Sequence, residues 1–239
     1  MMIMVDDVLR RARELWVRLA GVPVSFGASI PGVAVSPRSA LCPPGWAGIV
    51  TLGDEAILTA PDDATAAVVR QALAGLPAAA WTDPAVLAGR IPLAEVLGPA
   101  TLAYCGAAEF RPPADGGFEV LAAADPAMWT LLTAVPVADA EECGLADITS
   151  PAFVVRDGDR LTAAAGHRRW PGDTAHVSVL TVPGHRGRGL AKIVGAAAVA
   201  DALAAGLLPQ WRARPADSRR VALALGFREL GTQLSIRIA

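Results

Sequence analysis

Lysine is nearly absent from the chain: of its 21 basic residues only Lys192 is not an arginine. With the abundance of alanine, that bias points to a GC-rich bacterial genome, so a single arginine carries little functional information. Cysteine is also scarce. Cys42, Cys105 and Cys143 are odd in number and far apart, which argues against a disulfide framework and offers no metal-ligand spacing. One tyrosine and a formal net charge of −2 give neither a base-stacking platform nor a general attraction for nucleic acid. Long apolar runs are missing too. The longest, residues 193–208, is interrupted by Asp201 and falls short of a membrane span. The opening "MMIMVDDVLRR" places two aspartates behind a short apolar run, unlike a signal peptide. The expectation is a cytoplasmic protein with no metal, no membrane and no nucleic-acid partner.

What is present is apolar. Hydrophobic residues make up 53% and charged ones 18% of the chain, a composition that buries a core. Residues 6–19 have helical spacing, and "WAGIVTLGDEAILTAP" reads as a hairpin turning at Gly53-Asp54, followed by a helix that opens on aspartate. Turn residues cluster at "RPPADGG", residues 111–117, which predicts an N-terminal α/β half over 1–112 and a second domain over 113–239. In the second part, two strands flank Asp157-Gly158. "AHVSVLTV" follows as a strand, residues 187–205 as a helix, "LPQWRA" as a strand, "ADSRRVALALGF" as a helix and "TQLSIRI" as a closing strand. Mixed elements in this order predict an α/β (α+β) fold. "AILTAP" with its helix echoes "SVLTVP" with its own, so a decayed duplication and chance similarity both stand as readings.

"VPGHRGRGLAK", residues 182–192, sits between the predicted strand and helix. A helix start leaves amide hydrogens unpaired at the positive end of its dipole. Gly184, Gly187 and Gly189 permit close backbone approach, and Arg186 and Arg188 add donors suited to phosphate. Neither a P-loop nor a dinucleotide fingerprint is present. "RGRGLA", residues 186–191, resembles the R/Q-x-x-G-x-G/A signature of the GNAT superfamily of N-acetyltransferases, and "HVSVLTVP" and "SRRVALALGF" resemble that family's fourth strand and late helix.

The resemblance implies a central mixed, mostly antiparallel sheet flanked by helices over roughly 118–239, with the first half as a degenerate copy. It implies acetyl-CoA or another acyl-CoA as donor, held by Leu180, Thr181, Val182, Arg186, Gly187, Arg188, Gly189, Leu190 and Ala191. An acyl-phosphopantetheine arm on a carrier protein is the alternative donor, and the acceptor is the amine of a small molecule. The oxyanion donor is expected at the amide of Val179 or Leu180.

Where many relatives carry an acidic tyrosine, this chain has Ala222. Ser218 is the replacement candidate for the proton donor, with a helix cap as its plain structural role. The family's strand glutamate is also missing, which leaves His176 and His167 as candidate bases. Glu141, Glu142 and Asp147 could meet a cationic substrate, and Trp170 and Trp211 could line the cleft. A non-catalytic CoA-binding module remains a second reading. The sequence leaves the oligomeric state open.

Overall fold

The computed structural model describes residues 6–27, 33–114 and 116–239. The expectation for the first five residues therefore lies outside the described residues, as do parts of the glycine- and proline-rich passages before residue 45 and around residue 115. By packing, the chain divides into two units, one of residues 1–102 with 229–239 and the other of residues 103–228. The boundary expected after residue 112 lies within the second unit, ten residues beyond the division after residue 102.

The first unit opens with α1 (Asp7–Ala20), capped by Asp6, whose carboxylate accepts from the Leu9 amide, and ended by Gly21 in the left-handed region. Its buried stripe is Val8, Ala12, Leu15 and Trp16. The strands are β1 (Val33–Val35), β2 (Ala47–Leu52), β3 (Glu55–Ala60), β4 (Leu93–Tyr104) and β10 (Arg228–Ile238), with α2 (Asp63–Leu73) and α3 (Pro84–Ala88) between them. They neighbour in the order β1-β3-β2-β10-β4. β2 is antiparallel to β3 and β10, and β1 is parallel to β3. Ala66, Val69 and Leu73 of α2 close a core with Ile49, Leu58, Trp81 and Leu234. A β-branched or leucine side chain moved from water into such a core contributes about 1.5–3 kcal/mol.

The second unit takes the last two residues of β4 and then β5 (Glu119–Leu121), α4 (Pro126–Thr133), α5 (Val137–Cys143), β6 (Ala152–Asp157), β7 (Arg160–Trp170), β8 (Thr174–Thr181), α6 (Leu190–Ala204), β9 (Leu208–Ala213) and α7 (Ala216–Ala224). Its strands neighbour as β9-β8-β7-β6-β5. The pairs β5–β6, β6–β7 and β7–β8 are antiparallel, whereas β8–β9 is parallel. The expected mixed, mostly antiparallel sheet with helices on its faces is what the chain forms.

Side chains alternate across a strand, and β7 and β8 use both faces. Ala163, Ala165 and Val177 join α6, Trp211 and Phe227 on one side. Ala164 and Leu180 join Met128 and Leu131 of α4 and Leu145 on the other. That second face becomes the chemically interesting one.

Candidate active site

Residues 182–189 connect β8 to α6, with a short 3₁₀ turn over Pro183–His185 followed by two glycines in the left-handed region, Gly187 at φ +75° and Gly189 at φ +78°. Gly189 is the cap of α6 and supplies no side chain to its amides. Among the described residues, no amide of residues 187–191 donates to a backbone carbonyl. A Cβ built on Gly184, Gly187 or Gly189 would meet nothing within 4 Å, so the space ahead of the helix is open. The Thr181 hydroxyl, at the foot of the loop, is buried without a partner. Unpaired amides, a positive helix end and open space together fit a diphosphate.

α2, the corresponding helix of the echoed segment, is built differently. Asp62 caps it, accepting from the Thr65 amide at 2.8 Å, and that contact holds the Asp62 carboxyl below the usual range. A helix end already carrying its own carboxylate does not receive a second anion. Of the two echoed helices, only α6 is open.

The parallel ladder between β8 and β9 is short. It joins Thr174–His176 to Leu208–Gln210 and stops, although β8 runs on to Thr181 and β9 to Ala213. Beyond His176, one edge of β8 has no strand beside it among the described residues. The Val182 amide donates to Thr162 of β7 at 2.9 Å. Alternation then directs the Leu180 amide to β7 as well and leaves Val179 and Thr181 on the open edge. Of the two amides expected to face an oxyanion, Val179 is thus the one turned to the open side.

His176 stands at the end of that ladder. Its Nδ1 lies 2.8 Å from Gln210 Oε1, and the Gln210 amide nitrogen lies 3.3 Å from the Tyr104 hydroxyl. Gln210 presents its carbonyl oxygen, so Nδ1 is the protonated nitrogen and Nε2 holds the lone pair. Trp170 stacks on the imidazole, centroids 4.3 Å apart at 12°, and the Arg212 guanidinium lies 5.8 Å from the Trp170 ring centre. Burial, and then the charge of Arg212 and, less strongly, Arg168, push the imidazole from 6.5 down to about 3 despite the Gln210 bond.

The unfolded chain takes up a proton as pH falls through 6.5, while the folded chain does not until about 3. Stability should therefore fall as pH drops through that window, by at most about 1.4 kcal/mol per pH unit from this group. Urea melts of wild type and His176→Gln between pH 7 and pH 4 should show a shallower slope for the variant.

The expected site residues do not all converge. His167 pairs in register with Val177, and His176 with Arg168, so the two histidines point to opposite faces. His167 is buried beneath α6 with Nε2 2.9 Å from Asp201 Oδ2. They do not act on one proton. Trp211 packs in the core, edge-on to Phe227, rather than lining a cleft. Its indole N–H donates to Ser218 Oγ at 2.9 Å. Ser218 does not cap a helix: α7 begins after Pro215, which places Ser218 inside the first turn.

Two of the three acidic residues expected to meet a cation, Glu142 and Asp147, are paired, and so is Asp139. Glu142 takes the Nε of Arg214 at 2.8 Å, Asp139 takes Nη2 of Arg186 at 2.7 Å, and Asp147 lies 3.5 Å from Arg168. Asp139 thus occupies the arginine expected to meet phosphate. Asp139→Asn should tighten CoA binding severalfold, the scale of an exposed ion pair. Calorimetric titration with CoA checks it.

Sequence reasoning missed Gln210, Tyr104, Arg212 and Asp139. The i, i+2 spacing of Arg168 and Trp170 on β7 was readable, but which residues of β8 and β9 stand beside them depends on register.

Residues 151–232 match the family model described as GNAT acetyltransferase. Three solved structures are similar. A putative GNAT-family acetyltransferase from Novosphingobium aromaticivorans is 26% identical, with 60% of this chain and 65% of that one covered at a TM-score of 0.49. A GCN5-related N-acetyltransferase from Kribbella flavida is 19% identical, over 64% and 62%, at 0.48. Both matches span less than two thirds of the other chain's length. A GCN5-related N-acetyltransferase-like protein from Streptococcus suis, 16% identical, matches over 96% and 98% at 0.50 and shares the fold. No curated protein matches the sequence. Among the described residues, no helix is long and apolar enough to cross a membrane, and no metal-ligating cluster occurs.

Proposed function

We propose that the protein transfers an acyl group from an acyl-CoA thioester to the amine of a small molecule by direct attack. The open, uncapped start of α6 at the unpaired edge of β8 is the observation that carries this reading. Bound acyl-CoA would supply an acyl carbon activated by its thioester. The amides of residues 187–191, with Arg186, would hold its diphosphate. CoA has two linked phosphates and a carrier-bound pantetheine arm only one, so the paired-donor character of this loop favours the free coenzyme. The open-edge amides of Val179 and Thr181 would bind along the pantetheine arm and face the acyl oxygen. His176 Nε2 would accept the amine proton as nitrogen bonds to the acyl carbon and the carbon–sulfur bond breaks.

Ser218 remains the proposed donor to the departing sulfur. The Trp211 N–H occupies a lone pair of its oxygen and leaves the hydroxyl proton for another acceptor. Ser218→Ala should lower kcat about a hundredfold with donor affinity unchanged, and cost about 1–3 kcal/mol through the orphaned indole N–H. A stability loss with normal kcat would reduce Ser218 to a partner of Trp211.

The whole reading is tested by titrating the protein with CoA and with a phosphopantetheine-loaded carrier protein, and then assaying thiol release. Binding of neither would refute it.

A further inference from the structure

The groups around His176 say something about the acceptor. Register sets Arg168 beside His176 on β7 and Gln210 beside it on β9, and Arg212 lies two residues beyond Gln210 on the same face. Trp170, also on that face, contacts the imidazole on its ring and carries the Arg212 guanidinium at 5.8 Å. The nearby carboxylates have arginine partners: Glu142 with Arg214, Asp139 with Arg186, and Asp147 with Arg168. Glu142 and Asp147 of the expected cation-binding group are therefore taken by arginines, and the charges that act on the proton acceptor are positive, Arg212 foremost.

We infer that the acceptor is an amine that also bears a carboxylate, an amino acid or a peptide-like amine. Its carboxylate meets Arg212 above Trp170, and its nitrogen lies at His176 Nε2. A guanidinium held on an indole face is oriented before the ligand arrives, and its planar fork suits two carboxylate oxygens. The arrangement also serves the chemistry. Burial is the first cause that holds the imidazole proton-poor and the Arg212 charge the second; a bound carboxylate offsets that second cause, so His176 becomes a better proton acceptor when the substrate is in place. A polyamine or another polycation would instead set its charges against the Arg212 guanidinium.

This inference rests on the acyl-transfer reading but is read out by binding alone. The CoA-saturated protein is titrated calorimetrically with a panel of L-amino acids, each beside its carboxamide and its decarboxylated amine. At least one amino acid should bind about tenfold or more tighter than its two analogues, the scale of a charge-assisted contact. Arg212→Met should bring the three ligands level, and Arg212→Lys should restore part of the preference, with CoA affinity unchanged in both. Equal binding of acid and amide, tighter binding of the decarboxylated amine, binding of none, or a preference that survives Arg212→Met would overturn it. Absence of CoA binding, or of thiol release from acetyl-CoA with every amine, would count against acyl transfer instead.

Discussion

Gly189→Val is expected to lower affinity for acetyl-CoA by a hundredfold or more. The residue caps α6 at φ +78°, directly where the unpaired amides of residues 187–191 face outward. Valine would place two methyl groups in the space a diphosphate needs, and it would resist the left-handed backbone that presents those amides. Losing two charge-assisted hydrogen bonds costs about 3–6 kcal/mol, which corresponds to that factor. The fold should survive. Nothing lies within 4 Å of the added Cβ, and the backbone strain of about 1–2 kcal/mol is small against typical domain stability. Gly184→Ala is the control, since that position is equally open but has no left-handed φ. Calorimetry with circular dichroism separates lost binding from lost fold. A folded Gly189→Val protein with wild-type affinity would remove the phosphate site from α6.

His176→Gln should cut kcat by about 10²–10⁴, the usual weight of a general base, and leave CoA affinity within twofold. Glutamine keeps a polar side chain against Trp170 but cannot take up a proton. Gln210→Leu should fall between the variant and wild type. Without Oε1 the Nδ1 proton loses its acceptor, and the tautomer that frees Nε2 is no longer enforced. Steady-state thiol release measures both. Wild-type turnover in His176→Gln would move the proton acceptor elsewhere, to water or to substrate.

These two residues differ in how far the sequence alone identifies them. Gly189 was legible, because a glycine-arginine turn between a strand and a helix has few physical uses and because its spacing matched a known signature. The elements of the second unit were legible for a similar reason: alternation, turn residues and capping aspartates are local. His176 was named only as one of two histidines. Its selection over His167 needs strand register, which sets Arg168 and not His167 opposite it. The acidic segment around residues 139–147 misled for an electrostatic reason. Glu142 and Asp147, which look like part of a cation site in sequence, meet Arg214 and Arg168 from distant positions, and composition alone does not reveal such pairs. The first half echoed the second in pattern, yet one side chain, Asp62, fills the helix start that would have made it a second anion site.

Direct acyl transfer is tested most simply by mixing the protein with acetyl-CoA and a panel of amines, with L-amino acids among them, and following free thiol and product mass together. The account predicts thiol release that depends on the amine and is matched mole for mole by an acetylated amine. CoA that binds at the α6 loop, but releases no thiol beyond the protein-free rate with any amine, would contradict it.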